Sequence, residues 1–501
     1  MAKLAVVYSR AQNGIDAPLV RVEVHLSRGL PGLSIVGLPE TAVKESKDRV
    51  RAAILNSNLE FPQQRITINL APADLPKEGG RFDLPIAIGI LVASGQVSSD
   101  RLTETEFVGE LSLGGQLRAV RGVLPVAVKS AENNRVLVVP KDNGAESALI
   151  SEGVNKTADN LLQVCAWLNQ MDDLPNAVKA KKINIKPIAD ISEVKGQNQA
   201  KRALEIAAAG GHNLLFIGPP GTGKTMLASR MQGIMPPLTE QQALETAAIA
   251  SISSKGFDIN DWFVPPYRNP HHSASAVALV GGGSNPKPGE ISLSHFGILF
   301  LDELPEFSRQ VLEVLREPIE SGKVTISRAA RQAEFPANFQ LIAAMNPCPC
   351  GYFGDKERVC SCSAMQIERY RAKVSGPLLD RIDMHVEVAR IPYKDLRKSS
   401  KSVENSDTVR KRVTAARKIQ LQRNLGQTNA QLGNKDLERV IHISEDNLQM
   451  LEGIVEKLKL SARAYHRILK LSRTIADLEH SENVEKHHIL EAVSYRCLDR
   501  A

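Results

Sequence analysis

A glycine-rich turn follows a short apolar segment and ends in a lysine and a threonine. The apolar segment is Asn213–Ile217, and the turn has the pattern G-x-x-x-x-G-K-[ST]. Glycines let the backbone wrap closely around phosphates, and a helix that starts at the lysine points N–H groups and its positive dipole end at them. The pattern predicts an ATP site in which Lys224 neutralises the β- and γ-phosphates and the Thr225 hydroxyl binds Mg²⁺. The residues of the turn are Gly218, Pro219, Pro220, Gly221, Thr222, Gly223, Lys224 and Thr225.

Two carboxylates stand at the end of a second apolar segment, Ile298–Leu301. Asp302 and Glu303 follow it directly, about eighty residues after the turn. Because the carboxyl ends of parallel strands meet at one edge of a sheet, a strand here brings both groups beside the phosphates. Asp302 is the predicted partner of Mg²⁺, and Glu303 is the predicted group that polarises the attacking water. An apolar run followed by two acidic residues is weak evidence alone, and its position after the turn makes it specific.

Three further polar residues follow in an order that fits the same site. Asn346 ends the apolar segment Leu341–Met345, where its amide is placed to position water or the γ-phosphate. Arg381, in the stretch GPLLDRID, suits an arginine finger that reaches a neighbouring subunit's ATP and therefore requires a ring. Arg463 opens a predicted helix and is expected to sense the γ-phosphate within its own subunit. Taken singly, a surface position is the commoner explanation for each of the three.

Four of the six cysteines lie close together as two C-x-C pairs. They are Cys348, Cys350, Cys360 and Cys362. Four thiolates can close a tetrahedral structural Zn²⁺ site, whereas such a cluster is not the disulfide framework of a secreted domain. The C-x-C spacing is tighter than the usual C-x₂-C pair. A loop of reduced cysteines without a metal is therefore the open alternative.

The periodicity of the chain indicates which elements position these residues. Strand-like and helix-like segments alternate over 193–395, which predicts an ATPase domain of the α/β class with a doubly wound, mostly parallel sheet. Residues 405–501 contain few glycines and show apolar residues at helical spacing, as in Ser461–Leu478. We expect them to form a C-terminal all-α lid.

The first part of the chain is predicted to be a separate α+β domain over residues 1–168. The alternating stretch Arg65–Leu70 reads as a strand and Leu84–Gly95 as a buried helix. A Lys-, Asp- and Pro-rich stretch follows, so residues 169–192 are the predicted linker.

The composition is that of an ordinary globular protein and favours no special class. The chain has 501 residues, 43% of them hydrophobic and 24% charged. It shows no signal peptide and no apolar run long enough for a membrane span, so a cytoplasmic location without a membrane partner is expected. The formal net charge of +7 permits a nucleic-acid partner without demonstrating one.

Three stretches carry a resemblance to known families. Arg268–Ser273 reads RNPHHS and Ala278–Gly283 reads ALVGGG, and both resemble the magnesium-chelatase branch of AAA+ proteins. With APADLPKEGG at Ala71–Gly80, the whole chain is similar to the bacterial ComM/YifB family. The resemblance implies a hexameric ATPase with ATP and Mg²⁺. It further implies that ComM-like members act as DNA helicases, driving branch migration during natural transformation, with single-stranded or branched DNA and recombination proteins as partners.

The same resemblance suggests which segments touch DNA. Lys323–Phe335 resembles a β-hairpin carrying Lys323, Arg328 and Arg331, and Ser273–Pro286 resembles an insertion that lines the pore of related ring motors. Basic side chains there would hold DNA phosphates through non-specific electrostatics. The alternative is a solvated hairpin with ordinary surface arginines. His271 and His272 are predicted to be packed or hydrogen-bonded turn residues rather than metal ligands.

The N-terminal domain resembles the proteolytic domain of Lon but lacks its reactive groups. The Lon nucleophile is a serine in a P-K-D-G-P-S-type turn, and Pro76–Phe82 reads PKEGGRF, with Arg81 at the serine position. The later turn Gly114–Arg118 has no lysine at the expected place. An always-charged guanidinium supplies neither a nucleophilic hydroxyl nor a base. We expect a non-proteolytic domain that serves assembly or DNA contact.

Two other functions remain open beside a DNA motor. The magnesium-chelatase resemblance allows a motor for metal insertion into a porphyrin, although a Lon-like domain is not expected in such subunits. An ATP-dependent protease or unfoldase is the third, and the missing Ser–Lys pair argues against proteolysis. Stimulation of ATP hydrolysis by DNA, by a porphyrin-loaded partner or by casein would separate the three.

Overall fold

The computed structural model divides into two compact units. The first contains Met1–Ile185 together with Ala243–Trp262, and the second contains Lys186–Gln242 and Phe263–Ala501. The residues that the structure describes are 4–37, 41–75, 77–179, 187–283, 286–328, 331–355, 357–391, 404–496 and 498.

The first unit combines nine strands with five helices. Its strands are β1 (Leu4–Arg10), β2 (Leu19–Ser27), β3 (Gly32–Val36), β4 (Arg65–Ala71), β5 (Thr105–Phe107), β6 (Glu110–Leu111), β7 (Leu117–Arg118), β8 (Val136–Pro140) and β9 (Asn155–Ala158). Its helices are α1 (Thr41–Asn56), α2 (Asp83–Ala93), α3 (Val123–Glu132), α4 (Gly144–Ser147) and α5 (Leu161–Leu168). The predicted strand at 65–70 and the predicted helix at 84–95 are thus present as β4 and α2.

Seven of these strands form one mixed sheet in the order β3-β4-β2-β1-β5-β8-β9. The pairs β1–β2 and β2–β4 are antiparallel, and the other neighbours are parallel. Helix α2 packs on β1 and β2, and nearly all of its residues are buried. Gly89 allows this close approach, since a Cβ atom there would lie 2.5 Å from Cγ2 of Val24. The helix therefore needs a glycine at the point where it crosses the sheet.

The second unit carries the other nine strands. They are β10 (Leu214–Ile217), β11 (Tyr267–Arg268), β12 (Gly281–Gly282), β13 (Lys287–Pro288), β14 (Ile298–Leu301), β15 (Lys323–Arg328), β16 (Arg331–Pro336), β17 (Gln340–Met345) and β18 (Met384–Glu387). Five of them form an all-parallel sheet in the order β11-β14-β17-β10-β18. This is the parallel α/β architecture that the alternating segments predicted.

The remaining helices of the described chain lie in the second unit with this sheet, except the helix Glu240–Ser251, most of which belongs to the first unit. They are α6 (Asn198–Gly210), α7 (Lys224–Ile234), α8 (Glu240–Ser251), α9 (Ala276–Val280), α10 (Glu290–Leu293), α11 (Arg309–Glu313), α12 (Arg316–Ser321), α13 (Ala364–Arg371), α14 (Gly376–Leu379), α15 (Ser406–Arg423), α16 (Asn434–Val440), α17 (Glu445–Lys457), α18 (Ala462–Leu478) and α19 (Lys486–Ser494). The last five form the helical C-terminal region that was predicted. Helices α15 and α18 pack on α6, so sheet, flanking helices and C-terminal helices share one apolar core.

The segment Ala243–Trp262 differs from the predicted domain boundary. It was expected to lie inside one continuous ATPase domain, and its contacts place it in the first unit. The Gly122 N–H donates to the Ser251 carbonyl at 3.1 Å, and the Ser251 hydroxyl donates to the Glu146 carboxylate. Hydrogen bonds between residues far apart in the chain, rather than local sequence, decide this assignment.

Among the described residues, none of the helices combines the length and the apolar character needed to cross a bilayer.

The packing of α2 leads to a stability prediction. Gly89→Ala should lower the melting temperature of the first unit, because overpacking against β2 costs about 1–3 kcal/mol. Gly453→Ala is the matched control: Gly453 lies inside α17, and a Cβ atom there meets no other atom within 4 Å. That variant should gain up to about 1 kcal/mol from helix propensity. Differential scanning calorimetry measures both, and equal shifts in one direction would contradict the packing argument.

Candidate functional site

Three neighbouring strands bring the predicted site residues to one edge of the parallel sheet. Strand β10 leads into the glycine-rich turn, β14 ends before Asp302, and β17 ends before Asn346. The strands are hydrogen-bonded in the order β14-β17-β10, with Leu301 opposite Ala343 and Ile217 opposite Met345. Parallel strands in this register place all three following residues at the carboxyl edge, where α/β proteins bind ligands.

Lys224 lies at the first residue of α7, with its ammonium group inside the turn. Nζ donates to the carbonyl oxygens of Gly218 at 2.7 Å and Pro219 at 2.9 Å, and to Oδ1 of Asn346 at 3.2 Å. Burial lowers the pKa of Lys224 to about 8, against the opposing attraction of Asp302 and Glu303. An anionic phosphate at this position would favour the charged ammonium and raise the pKa again.

Thr225 and Asp302 lie in direct contact. The Thr225 hydroxyl donates to Oδ2 of Asp302 at 2.6 Å, although 77 residues separate the two in the chain. A hydroxyl and a carboxylate oxygen are ligands that Mg²⁺ accepts beside phosphate oxygens and water. The donor set therefore fits the predicted magnesium position.

Glu303 adopts a left-handed backbone conformation, with φ +52° and ψ +49°. This conformation is uncommon for a residue other than glycine, and such strain is found often at functional sites. The Glu303 N–H donates to Oδ1 of Asp302 at 3.0 Å, and the Glu303 side chain is 55% exposed. The carboxylate thus points out of the sheet edge, where water is available.

His272 is a neighbour of Glu303 that sequence reasoning missed. Its Nδ1 lies 3.5 Å from Oε2 of Glu303, and its ring lies against that of His271, with centroids 4.1 Å apart. The Nδ1 of His271 is 2.8 Å from the Ser273 hydroxyl, as expected for a hydrogen-bonded turn residue. No spacing rule could have found the pair, because β11 leads to His272 and β14 leads to Glu303.

Arg381 lies at the opposite, amino edge of the same sheet. The side-chain amide of Asn213, which precedes β10, donates to the Arg381 carbonyl at 3.0 Å. The four residues of β10 separate that edge from the turn by about 13 Å. The Arg381 guanidinium donates to the Pro377 carbonyl and pairs with Glu320, both at 2.6 Å. The structure therefore does not bring Arg381 to the phosphate turn of its own chain.

Arg463 lies at the same amino edge. Its NH1 is 3.5 Å from Oδ2 of Asp380, the residue before Arg381, and its side chain is 67% exposed. This placement differs from the expectation that Arg463 senses the γ-phosphate of its own subunit. The N-terminus of α18 lies beside the amino ends of the strands, whereas the phosphate turn follows their carboxyl ends.

The four clustered cysteines converge in space. The Sγ atom of Cys348 lies 3.4 Å from that of Cys350 and 3.7 Å from that of Cys360, and Cys350 and Cys360 are 3.6 Å apart. Sγ of Cys362 also belongs to the cluster, in which all four sulfurs lie within 4.8 Å of one another. Four thiolates around Zn²⁺, each at about 2.3 Å, are separated by about 3.8 Å. The cluster has the size of a tetrahedral zinc site.

Backbone N–H groups point at the sulfurs, as thiolates require. Phe353 donates to Sγ of Cys348 at 3.3 Å, and Cys362 donates to Sγ of Cys360 at 3.4 Å. Hydrogen bonds from the backbone of Tyr352 and Ser361 lower the pKa of Cys350 to about 5. A lowered pKa favours the thiolate, which is the form that binds metal, whereas desolvation and the neighbouring cysteine sulfurs raise the pKa of Cys360 and Cys362.

The predicted DNA-contacting hairpin exists as a separate two-stranded sheet. Strands β15 and β16 pair with Arg328 opposite Arg331. Lys323 Nζ pairs with Oε1 of Glu334 across the hairpin at 2.8 Å. Residues 329–330 and the side chains of the two arginines lie outside the described part of the chain, as do residues 284–285 of the predicted insertion.

Comparison with known families matches three regions of the chain. Residues 190–396 match the family described as magnesium chelatase, subunit ChlI. Residues 22–143 match the family of subunit ChlI of Mg-chelatase, and residues 403–496 match its C-terminal family.

Similarity to individual proteins extends over nearly the whole chain. The competence protein ComM of Haemophilus influenzae is 51% identical over 503 residues, which cover 99% of this chain and 98% of the relative. The chain belongs to the ComM/YifB family. Protein YifB of Escherichia coli K12 is 50% identical, with the same coverage of both chains. Lon protease 2 of Bacillus subtilis is 26% identical over 34% of each chain.

Membership in the ComM/YifB family agrees with a magnesium-chelatase-like AAA+ domain, for which the family suggests ATPase activity. The Lon-like N-terminal domain differs from a protease in its residues. The Arg81 guanidinium is buried and donates to Oε1 of Gln12 at 3.0 Å and to the Arg121 carbonyl at 2.6 Å. Burial lowers the pKa of Arg81 to about 10, so it stays charged at neutral pH. Arg81 holds two loops together and offers no nucleophile.

The lowered pKa of Lys224 predicts a pH dependence of ATP binding. Below about pH 8 the ammonium is already formed, whereas above it ATP binding must first take up a proton. The affinity for ATP should therefore fall by up to tenfold per pH unit above about pH 8. Calorimetry in buffers of different ionisation enthalpy measures the affinity and the proton uptake together. Lys224→Arg, which carries a permanent charge, should bind more weakly with a flat profile, and a flat wild-type profile would contradict the assignment.

Proposed function

We propose that this protein is an ATP-hydrolysing ring motor that acts on DNA. The observation that carries the proposal is the convergence of Lys224, Thr225, Asp302 and Asn346 at the carboxyl edge of the sheet. Lys224 holds the β- and γ-phosphates and neutralises their charge. Thr225 and Asp302 would hold Mg²⁺, which would neutralise developing phosphate charge. Glu303 polarises the attacking water, and Asn346 orients that water or the γ-phosphate.

An arginine finger from the neighbouring subunit completes the proposed site. Arg381 lies at the edge opposite the phosphate turn, with Glu320 and the Pro377 carbonyl orienting its guanidinium. A finger that cannot reach its own ATP is useful only when subunits pack head to tail, and such packing forms a ring when the rotation between neighbours closes. Arg463, beside Asp380, would belong to the same interface. A hexamer is the proposed ring, in keeping with the family.

DNA is the proposed substrate of the motor. The support is the full-length similarity to a protein named for competence, together with the hairpin that carries Lys323, Arg328 and Arg331. Positive groups on a hairpin can track a phosphate backbone without reading bases, and the uncharged 273–286 insertion would lie beside it in the pore. The proposed reaction is branch migration of DNA junctions, which serves integration of DNA in natural transformation and requires recombination proteins as partners. A cytoplasmic location follows from this proposal.

A structural Zn²⁺ ion is the proposed occupant of the cysteine cluster. The spacing of the sulfurs and the N–H groups directed at them fit four thiolate ligands. The ion would tie together a loop that contains no strand or helix among its described residues between Pro347 and Ser363.

A chelatase motor is the second candidate, because the matching family is described as a magnesium-chelatase subunit. The full-length similarity to a competence protein favours the first candidate over this one. Single-stranded or branched DNA should raise ATP turnover under the first proposal, and a porphyrin-loaded partner should do so under the second.

The DNA proposal predicts movement of junctions. The purified chain with ATP and Mg²⁺ should resolve labelled three-way and four-way DNA junctions in a gel assay. Lys224→Ala, which cannot hold the phosphates, and Glu303→Gln, which holds ATP without activating water, should both be inactive. If the wild-type chain hydrolysed ATP and left every junction intact, the proposed substrate would be wrong.

The proposed finger predicts a defect that appears in the neighbouring site. Arg381→Ala should lower the rate of ATP hydrolysis by about 10³-fold while ATP affinity changes little, because the finger acts on transition-state charge. In mixed rings, Arg381→Ala subunits should silence the wild-type site next to them. Arg316→Ala is the matched control, since Arg316 lies in the same cleft but pairs with Glu313 of its own chain at 2.6 Å. Equal losses in both variants would refute a role in trans.

A further inference from the structure

The cysteine cluster lies directly against the phosphate-binding turn. Gly351 follows Cys350, and its φ of +84° is a conformation that favours glycine. A Cβ atom on Gly351 would lie 2.7 Å from Cδ and 3.3 Å from Cγ of Pro220. Pro220 is the third residue of the phosphate turn, so the two loops touch at a point that has no room for a methyl group.

The cluster is also continuous with the residue that contacts Lys224. Asn346 is two residues before Cys348, and its Cγ would lie 3.8 Å from a Cβ on Gly351. Oδ1 of Asn346 accepts the hydrogen bond from Lys224 at 3.2 Å. The Gly351 N–H donates to the Cys348 carbonyl at 3.0 Å and closes the turn between the first two cysteines. Thus one short segment carries two sulfur ligands, the partner of Lys224 and the contact with Pro220.

Side-chain contacts rather than secondary structure hold this loop: Asp355 pairs with Arg390 at 2.9 Å, and the Arg371 guanidinium lies over the Phe353 ring. Between Pro347 and Ser363 the described residues form neither a strand nor a helix, and Val359 is 94% exposed. Cys348 is the buried cysteine of the cluster, and the other three are partly exposed. The contacts of Phe353 and Asp355 lie beyond Gly351 in the chain, so ligation of the four sulfurs would add the restraint that fixes Gly351 against Pro220.

We propose that Zn²⁺ bound by the four cysteines positions the phosphate turn, so that nucleotide affinity depends on the metal. This inference rests on the proposed ATP site and adds a control of that site. Gly351 is a positioning residue, because its contact with Pro220 fixes where the phosphate turn lies relative to the cysteine loop. Asn346, near the start of the same loop, fixes Lys224 through their hydrogen bond. Without the metal, the cysteine loop moves away from Pro220, and the carbonyl groups that line the phosphate turn lose their fixed orientation.

The first experiment uses the full chain and measures zinc and nucleotide affinity separately. Elemental analysis should find one zinc per purified chain. Removal with TPEN, a chelator selective for zinc, in excess Mg²⁺ should weaken binding of a fluorescent ATP analogue by about tenfold, and added zinc should restore it. Absence of zinc from the native protein, or equal affinity with and without it, overturns the inference.

Two glycine variants test the contact between Gly351 and Pro220 while leaving the four proposed zinc ligands unchanged. Gly351→Ala keeps all four cysteines but presses on Pro220. Gly354→Ala is the matched control in the same loop: its φ is +79°, and a Cβ atom there meets nothing within 4 Å. Both variants should retain zinc and share the cost of a positive φ, yet only Gly351→Ala should lose about tenfold in ATP affinity. Equal affinities in the two variants overturn the coupling.

Different experimental results would refute the ATPase proposal and the zinc inference. Lys224→Ala should lose nucleotide binding and keep its zinc. A wild-type chain that holds zinc but binds no ATP refutes the ATPase proposal and this inference together. A chain that binds ATP equally well with and without zinc refutes this inference alone.

Discussion

The parallel pairing of β14, β17 and β10 is the constraint on which the rest of the site depends. It places residues from three distant parts of the chain at one sheet edge, so that Thr225 touches Asp302 and Lys224 touches Asn346. The strands are fully or almost fully buried, which fixes their register because a slip would expose apolar side chains. Burial also removes water from the Lys224 ammonium and lowers its pKa to about 8. Burial of this part of the domain therefore fixes the positions of the site residues and also lowers the pKa of Lys224.

The two edges of the sheet have different chemistry. The carboxyl edge holds the groups that we propose bind phosphate, and the amino edge holds Arg381 and Arg463, each paired with an acidic residue. The Arg463 pair is exposed and therefore weak, because water screens it, whereas the Arg381 side chain is largely buried and only its partner Glu320 is exposed. Both arginines remain available to a partner subunit that offers a more concentrated negative charge. Because the two edges of the sheet differ in this way, the amino edge of one subunit can face the carboxyl edge of the next, as the proposed head-to-tail assembly requires.

The cysteine loop connects a metal-sized cluster to the nucleotide site through packing. Gly351 meets Pro220 so closely that the loop cannot shift toward the turn without moving it. Close-packed contacts transmit small displacements, since protein interiors are not compressible. In the Lon-like domain, the buried Arg81 guanidinium joins two loops through its hydrogen bonds to Gln12 and to the Arg121 carbonyl.

Local patterns by themselves determined the fold class and the core of the site. The phosphate turn is contiguous in sequence, so its pattern predicted Lys224 and Thr225 directly, and an apolar strand before Asp302 and before Asn346 predicted their common edge. Tertiary structure alone decided the rest. It placed Arg463 at the amino edge, His272 beside Glu303, Gly351 against Pro220, and Ala243–Trp262 in the first unit. These placements depend on contacts between residues far apart in the chain, and periodicity and spacing cannot predict such contacts.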